Sequence, residues 1–414
     1  MHILFINQYF PPDGAPTGLM LERVAEELAE QGHEVTVLCA EGGYAGTGTK
    51  GAVDCNDHRA NSRFRVVRVG GPGFGRRTFL GKIADYAFFY FGVARHLAFI
   101  RPKPDRIVAL TTPPYLSILA RFFSRVRGGD HAHWVMDLYP DVMVAHGMLK
   151  PSGMTVRFLD TLARWGFGGS RCKMVLTLGP DMEERAAKHL SSGIPRQWVP
   201  LWGTAKSRDG SGKTRDGSGN TRDVQEASGK ASEDEPVVLM YSGNMGLGHR
   251  FGEFLEVAAT AGPQFQWKFH GQGKRRVEVE RFLKEHPEAP VTLGDYVPRE
   301  ALSAHLEAAD VHLASLDPVW DGTMVPSKLQ GIFAIGRPVI FVGSGDCAMG
   351  GWIKESGGGW VVPPEDLPSL EQALHESLIL KNREEKGRNA REYAERHFQP
   401  KRNAAKIANY LSQS

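Results

Sequence analysis

Between Asp321 and Val342 the chain reads DGTMVPSKLQGIFAIGRPVIFV, a loop, a helix and a buried strand in order. These residue types suit anion binding. Pro326 fits a helix start, where its missing N–H costs nothing, and the Ser327 hydroxyl beside it can cap. The unpaired N–H groups and partial positive charge of a helix start attract anions. Lys328 adds a full charge at an end that otherwise disfavours cations. A diphosphate held there explains the lysine; an ordinary αβ unit with a surface lysine is the alternative. Gly336, Arg337 and Pro338 then stop the helix, and Val339–Val342 continues as a strand.

Four other loops carry residues able to touch a ligand, and each follows an apolar run that reads as a strand. In Pro11–Gly18, Gly14 and Gly18 allow backbone to approach a ligand closely. Asp137, after HAHWVM, puts a carboxylate at a strand end, where it can orient a hydroxyl or balance positive charge. Capping the next helix is its alternative role, for which Asp141 is the better candidate. The turn Gly243–Arg250 offers Gly243, Asn244, His249 and Arg250, whose backbone N–H groups and cation suit phosphate. Gly271-Gln272-Gly273-Lys274 follows FQWKFH near where a base or diphosphate would lie. Any one of these loops also reads as a plain turn.

Positioning them requires two alternating α/β domains. HILFIN, a helix with Leu19, Leu21, Val24, Ala25 and Leu28 at helical spacing, Gly32 as terminator and HEVTVL form a βαβ opening. The alternation resumes at Val237. The chain thus reads as two doubly wound Rossmann-like domains facing a cleft, residues 1–203 and 237–385, with helices in 386–414 packing back on the first. Ligands of such sheets lie beyond the C-terminal strand ends. Between the domains, RDGSGKT and RDGSGNT repeat within residues 204–236. With little to bury, that segment should be a disordered linker.

Composition narrows the function. At 414 residues two domains are expected, and 41% hydrophobic with 23% charged residues describes a soluble globular chain. A net charge of +3 argues against nucleic acid as a main partner. Four scattered cysteines without a CxxC pair suit a reducing compartment. A strand from His2 leaves no room for a signal peptide ahead of it, and no apolar run nears the roughly 20 residues of a membrane span. No GxGxxG, GxxxxGK[ST], HExxH, GxSxG or DxD pattern occurs at the expected places, and the second strand ends without an acid, which disfavours a nicotinamide dinucleotide. His131 and His133 share one face of a strand and read as core or cleft-wall residues.

Taken together, NQYFPPDGAPTG, VALTTPPYLS, VMDLYPDV, VLTLGPDM, VPLWGT, YSGNMGLGH, FHGQG, GDYVPREALSAHLEAADVHLASL and VPSKLQGIFAIGRPVIFVGSG resemble family-4 retaining glycosyltransferases of the GT-B fold. The branch that builds bacterial surface polysaccharides is the best match. The resemblance implies a nucleotide-sugar donor held mostly by the second domain, through Val325, Pro326, Ser327, Lys328 and Leu329 with help from Gly243–His249. It implies that the Pro11–Gly18 loop and Asp137 face the sugar and a glycan or polyprenyl-linked acceptor. The departing phosphate would take the acceptor's proton, with neither protein nucleophile, cofactor nor metal. Asp137 and Lys328 would be the catalytic residues.

This chain departs from the family pattern. A glutamate pair usual near this helix is replaced by Thr323 and Gly331, and a usual Arg/Lys pair by His249 and Arg250. The departures keep two alternatives open, a nucleotide-sugar 2-epimerase of the same fold and a non-catalytic nucleotide-sugar-binding protein. Basic residues including Arg76 and Arg77 flank the aromatic segment Phe79–Ile100. Residues 76–103 therefore either touch an anionic membrane surface or form a buried helix with a basic rim. A cytoplasmic place, peripheral at the inner face of the plasma membrane, is expected.

Overall fold

The computed structural model describes residues 1–41, 57–58, 63–70, 79–203, 214–215, 221–222 and 235–413. The chain divides into two compact units: Met1–Pro200 with Gly322–Met324 and Pro400–Ser414, and Leu201–Asp321 with Val325–Gln399.

In the first unit, strands β1 (His2–Ile6), β2 (Glu34–Ala40), β3 (Asp57–His58), β4 (Phe64–Val69), β5 (Arg106–Ala109), β6 (Asp130–Trp134), β7 (Cys172–Thr177) and β8 (Arg196–Trp198) form one sheet. Its order is β3-β4-β2-β1-β5-β6-β7-β8. All pairings are parallel except β3 with β4. β1 is buried at every position, as a strand covered on both faces must be. Helices α1 (Pro16–Glu30), α2 (Phe79–Phe99), α3 (Leu116–Arg127), α4 (Asp141–Ala145), α5 (Met154–Phe167) and α6 (Pro180–Ala187) connect the strands. α1 begins at Pro16, which takes a first-turn position where its missing N–H costs nothing. α2 buries Phe89, Val93 and Leu97 with Leu116 and Phe123 of α3, while Phe88, Phe91 and Phe99 stay exposed. The segment is thus a helix with one buried side, and its other side carries exposed aromatic rings. Arg76 and Arg77 lie outside the described residues.

Of the expected linker, the described residues are 214–215, 221–222 and 235–236; β9 (Thr214–Arg215) and β10 (Thr221–Arg222) pair antiparallel. They are the equivalent Thr-Arg steps of the two repeats; residues 204–213, 216–220 and 223–234 lie outside the described residues.

The second unit holds β11 (Val237–Ser242), β12 (Phe265–His270), β13 (Val291–Gly294), β14 (Val311–Ser315), β15 (Val339–Val342) and β16 (Gly359–Val362), in the order β13-β12-β11-β14-β15-β16 and all parallel. Between them run α7 (Gly252–Thr260), α8 (Arg276–Glu285), α9 (Leu302–Glu307), α10 (Lys328–Ala334), α11 (Ala348–Ser356), α12 (Leu367–Leu378) and α13 (Leu380–His397). Its core is aromatic, with Tyr241, Phe251, Phe254, Trp267 and Phe269 fully buried.

The last helix, α14 (Pro400–Ser412), belongs to the first unit and lies on α1. Fully buried Arg106 on β5 donates to the carbonyls of Leu411 (2.5 Å) and Gln413 (2.6 Å), a cation at a helix C-terminus. α13 packs on α10 within the second unit. Of residues 386–414, therefore, the part from 400 onward packs on the first unit. Among the described residues no helix is long and apolar enough to cross a membrane.

Candidate functional site

The second unit gathers its site at the C-terminal ends of β11 and β12. The parallel register sets Ser242 beside His270, so the turns after these strands begin side by side at Gly243 and Gly271. Both glycines need their lack of Cβ. Gly271 has φ +140°, and a Cβ there would stand 1.9 Å from the Gly243 carbonyl oxygen. Gly243 has φ +135°, and a Cβ there would meet Lys328 Cε at 2.7 Å. Gly273, at φ +147°, presses on the Met245 carbonyl in the same way. Gly243 thus admits the lysine stem across the end of the sheet, while Gly271 and Gly273 admit the backbone of the neighbouring turn.

Lys328 Nζ donates to the Tyr241 hydroxyl, to the Asn244 carbonyl at 3.2 Å and to His249 Nε2 at 3.0 Å. It also stands 4.1 Å from the centre of the Tyr241 ring. His249 Nδ1 lies 2.6 Å from the Ser315 carbonyl and must donate there, which leaves Nε2 as a lone pair for the lysine. Burial lowers the His249 pKa to about 3, so the ring is neutral. Tyr241 donates to the Asn244 carbonyl at 2.7 Å, and burial keeps its hydroxyl protonated far above the usual range. Every acceptor around the ammonium is neutral. Burial accordingly holds the Lys328 pKa well below its ordinary value. The side chain is half-buried, so one side stays open to a ligand.

The remaining predicted residues fall in different places. The anion-binding helix starts at Lys328 and runs only seven residues. Ser327 occupies its N-cap position but forms no side-chain cap bond, and Pro326 precedes the helix instead of opening it. Positive character therefore rests more on the ammonium than on the helix end. Leu329 is fully buried and Val325 nearly so, which leaves only their backbones for a ligand. Arg250 is not free for phosphate: it meets Glu253 at 2.6 Å, Asp317 at 3.5 Å and Glu365 at 3.4 Å. His249 serves the lysine. The Gly243 and Met245 N–H groups donate to His270 and Gln272 carbonyls, so the turn offers fewer amides than its glycines suggested. Leu201–Gly203 lies against Gly331, where a Cβ on Gly203 would be 2.7 Å from the Gly331 Cα. Tyr241 was missed by sequence reasoning. Its signal was an aromatic one residue before the strand end, ahead of a glycine turn.

In the first unit, Asp137 follows β6 and bridges Met324 in antiparallel fashion, and the Leu138 N–H donates to the buried Thr323 at 2.8 Å. Thr111 Oγ1 accepts from the N–H groups of Met136 and Asp137, both at 3.1 Å. The Asp137 carboxyl does not cap α4, whose N-cap position is Pro140. Burial raises its pKa to about 6. Asp141 is not the expected cap either: its oxygens accept from Arg185 and His189, each at 2.7 Å. Burial opposes that ionised carboxylate, yet the two bonds hold its pKa below the usual value.

Gly14 has nothing within 4 Å of its would-be Cβ, whereas Gly18 sits in α1 against the Tyr9 carbonyl at 3.0 Å. Gly18 is thus a packing glycine and Gly14 an open one. His131 and His133 are both buried core residues. With Cys172 they place possible metal-ligating atoms within 4.8 Å of one another, though His131 already faces Ser124 Oγ at 3.0 Å and the Gly168 carbonyl at 3.2 Å. Cys39, Cys172 and Cys347 are free and buried.

Residues 17–202 match the family described as glycosyl transferase 4-like domain. A protein of Escherichia coli strain K12 named as a colanic acid biosynthesis glycosyl transferase, WcaI, is 24% identical over 410 residues, 96% of each chain. Among solved structures, WaaG, a glycosyltransferase involved in lipopolysaccharide biosynthesis, aligns over the whole of both chains with TM-score 0.66 and 19% identity. Anabaena HepE in complex with UDP-glucose aligns over 100% of this chain and 99% of its own, with TM-score 0.66 and 13% identity.

Proposed function

We propose that this chain is a GT-B glycosyltransferase of the family-4 type, which transfers a sugar from a nucleoside-diphosphate donor, with retention, to a glycan or polyprenyl-linked glycan during cell-surface polysaccharide synthesis. The observation that carries the reading is Lys328: a half-buried ammonium among three neutral acceptors, with no carboxylate of the described residues bonded to it. A buried charge without a counter-ion is costly, and a diphosphate oxygen on the open side supplies one. The fold family includes structures holding UDP and UDP-glucose, which makes uridine the first base to test.

In the reaction the bond between the anomeric carbon and the diphosphate oxygen breaks, and negative charge collects on the leaving group. Lys328 stabilises that charge, with its stem fixed across Gly243 and its head aimed by Tyr241, Asn244 and His249. Because His249 is neutral and accepting, it orients the lysine without competing for the anion. Retention follows when the acceptor oxygen attacks from the face the diphosphate leaves, passing its proton to the departing phosphate. In the first unit, Asp137 orients a hydroxyl of the sugar or acceptor. The reading asks for no metal, since Lys328 supplies the positive charge.

Incubation with a panel of nucleotide sugars, with and without undecaprenyl-diphosphate-linked saccharide, tests this. Acceptor-dependent release of nucleoside diphosphate and a product whose anomeric configuration matches the donor's are expected. A new nucleotide sugar formed without acceptor would mean epimerisation, and binding without turnover a non-catalytic role; either outcome defeats the proposal. An inverted anomeric centre defeats the retaining step alone.

A further inference from the structure

We infer that the outward surface of α2, α3 and α5 docks on an anionic lipid bilayer. The purpose of this surface rests on the lipid-linked acceptor proposed above, but its existence is argued from the first unit alone. The three helices lie side by side, α3 packing against both α2 and α5. Arg127 binds α3 to the end of α2 through the Ile100 carbonyl at 2.8 Å. Arg121 stacks 4.6 Å from the Trp165 ring and so joins α3 to α5.

The solvent side of a surface helix is ordinarily polar, and here it is not. Phe91 (69% exposed), Phe99 (75%) and Phe122 (47%) stand out with Val126 (64%) and Phe158 (62%). Their spacing is regular: Phe91 and Phe99 are two steps of four apart with Arg95 between them, and Phe122 and Val126 are one such step apart. The face is a designed stripe and not a scatter of single apolar residues.

Charge decides the occupant. α3 carries three arginines and no acidic residue. Arg95, Arg125, Arg157 and Arg164 are exposed, with no ion pair to a described carboxylate. Asp160, the acid on α5, turns to His189 at 3.6 Å. A second copy of this surface would set arginine against arginine, since a two-fold interface pairs a patch with itself. An anionic bilayer accepts both halves of the pattern: aromatic rings enter the headgroup–acyl boundary while guanidinium groups bind lipid phosphates.

The full chain is sedimented with phosphatidylcholine vesicles containing phosphatidylglycerol, and with pure phosphatidylcholine vesicles, at low and high salt. Binding to the anionic vesicles that weakens with salt is expected. Arg125→Gln/Arg157→Gln should bind about thirtyfold more weakly, about fivefold per arginine, and Phe122→Ser/Phe158→Ser should lose most binding. Thermal melts check folding; should the Phe variant melt early, the arginine pair still decides. Equal binding to neutral vesicles, or wild-type binding by the arginine variant, overturns the inference. So does a concentration-dependent dimer that the Phe variant abolishes. Donor turnover on a soluble acceptor without vesicles is measured in parallel, so that failure of docking and failure of the transferase reading separate.

Discussion

Replacing Lys328 by Met keeps the aliphatic stem that crosses Gly243 and removes the charge alone. At about 4 Å and an effective dielectric near 20, one negative charge on the leaving group attracts the ammonium by about 4 kcal/mol. Loss of a single charge-stabilising group typically costs about 2–4 kcal/mol. Part of the attraction is spent on protonation, because burial leaves the unliganded lysine with a pKa well below its ordinary value. The expected loss of UDP affinity in K328M is therefore at the lower end, about thirtyfold.

Two further signatures follow from the same physics. Titration calorimetry in buffers of different ionisation enthalpy should show proton uptake when wild type binds UDP, at pH values above the depressed pKa; K328M should show none. For stability, the unfolded state holds the lysine's proton between the folded pKa and the unfolded value of 10.5, so wild-type stability rises with pH through that window. K328M lacks that slope and should be no less stable at neutral pH. An unchanged UDP Kd, or proton uptake that persists in K328M, would refute the reasoning.

Three other outcomes are expected. Burial raises the Asp137 carboxyl from 3.8 to about 6, so a stabilising contribution present below pH 3.8 is lost as pH climbs through 6. Asp137→Asn should raise the unfolding free energy at pH 7.5 by about 1–2 kcal/mol, discounted for partial exposure, and with it the melting temperature, while lowering turnover; a variant less stable at every pH would make Asp137 structural. Gly243→Ala and Gly271→Ala should disturb Lys328 and weaken UDP binding, at a cost of about 1–3 kcal/mol for the strained backbone, whereas Gly14→Ala should fold like wild type, as melts and calorimetry will read. Arg106→Met should free the end of α14 and destabilise the first unit by about 3 kcal/mol, measured as faster amide exchange in residues 400–413; unaltered exchange there would show the latch to be idle.

What could be read before folding was local. The apolar period of three to four in α1, the continuous apolar run of β1 and the stops at Gly32 and Gly336 each depend on neighbours within a turn or two, so the βαβ order and the two units were visible. The importance of Lys328 was also visible, because a lysine just after Pro-Ser and ahead of an apolar helix conflicts with the helix dipole.

The rest was set by residues distant in sequence. Tyr241 and His249 lie 87 and 79 residues from Lys328, and only the β11–β12 register with α10 brings them under its ammonium. Ser327 has capping chemistry but no geometry for it, and Arg250 has phosphate-binding chemistry but three nearer carboxylates. Asp137 gains its raised pKa from burial beside Thr111 and Met324, which no local pattern encodes. Sequence by itself determined which elements form and where cations and carboxylates stand along them. Tertiary structure decided which of those charges are neutralised, because desolvation and pairing depend on what the fold packs against each group.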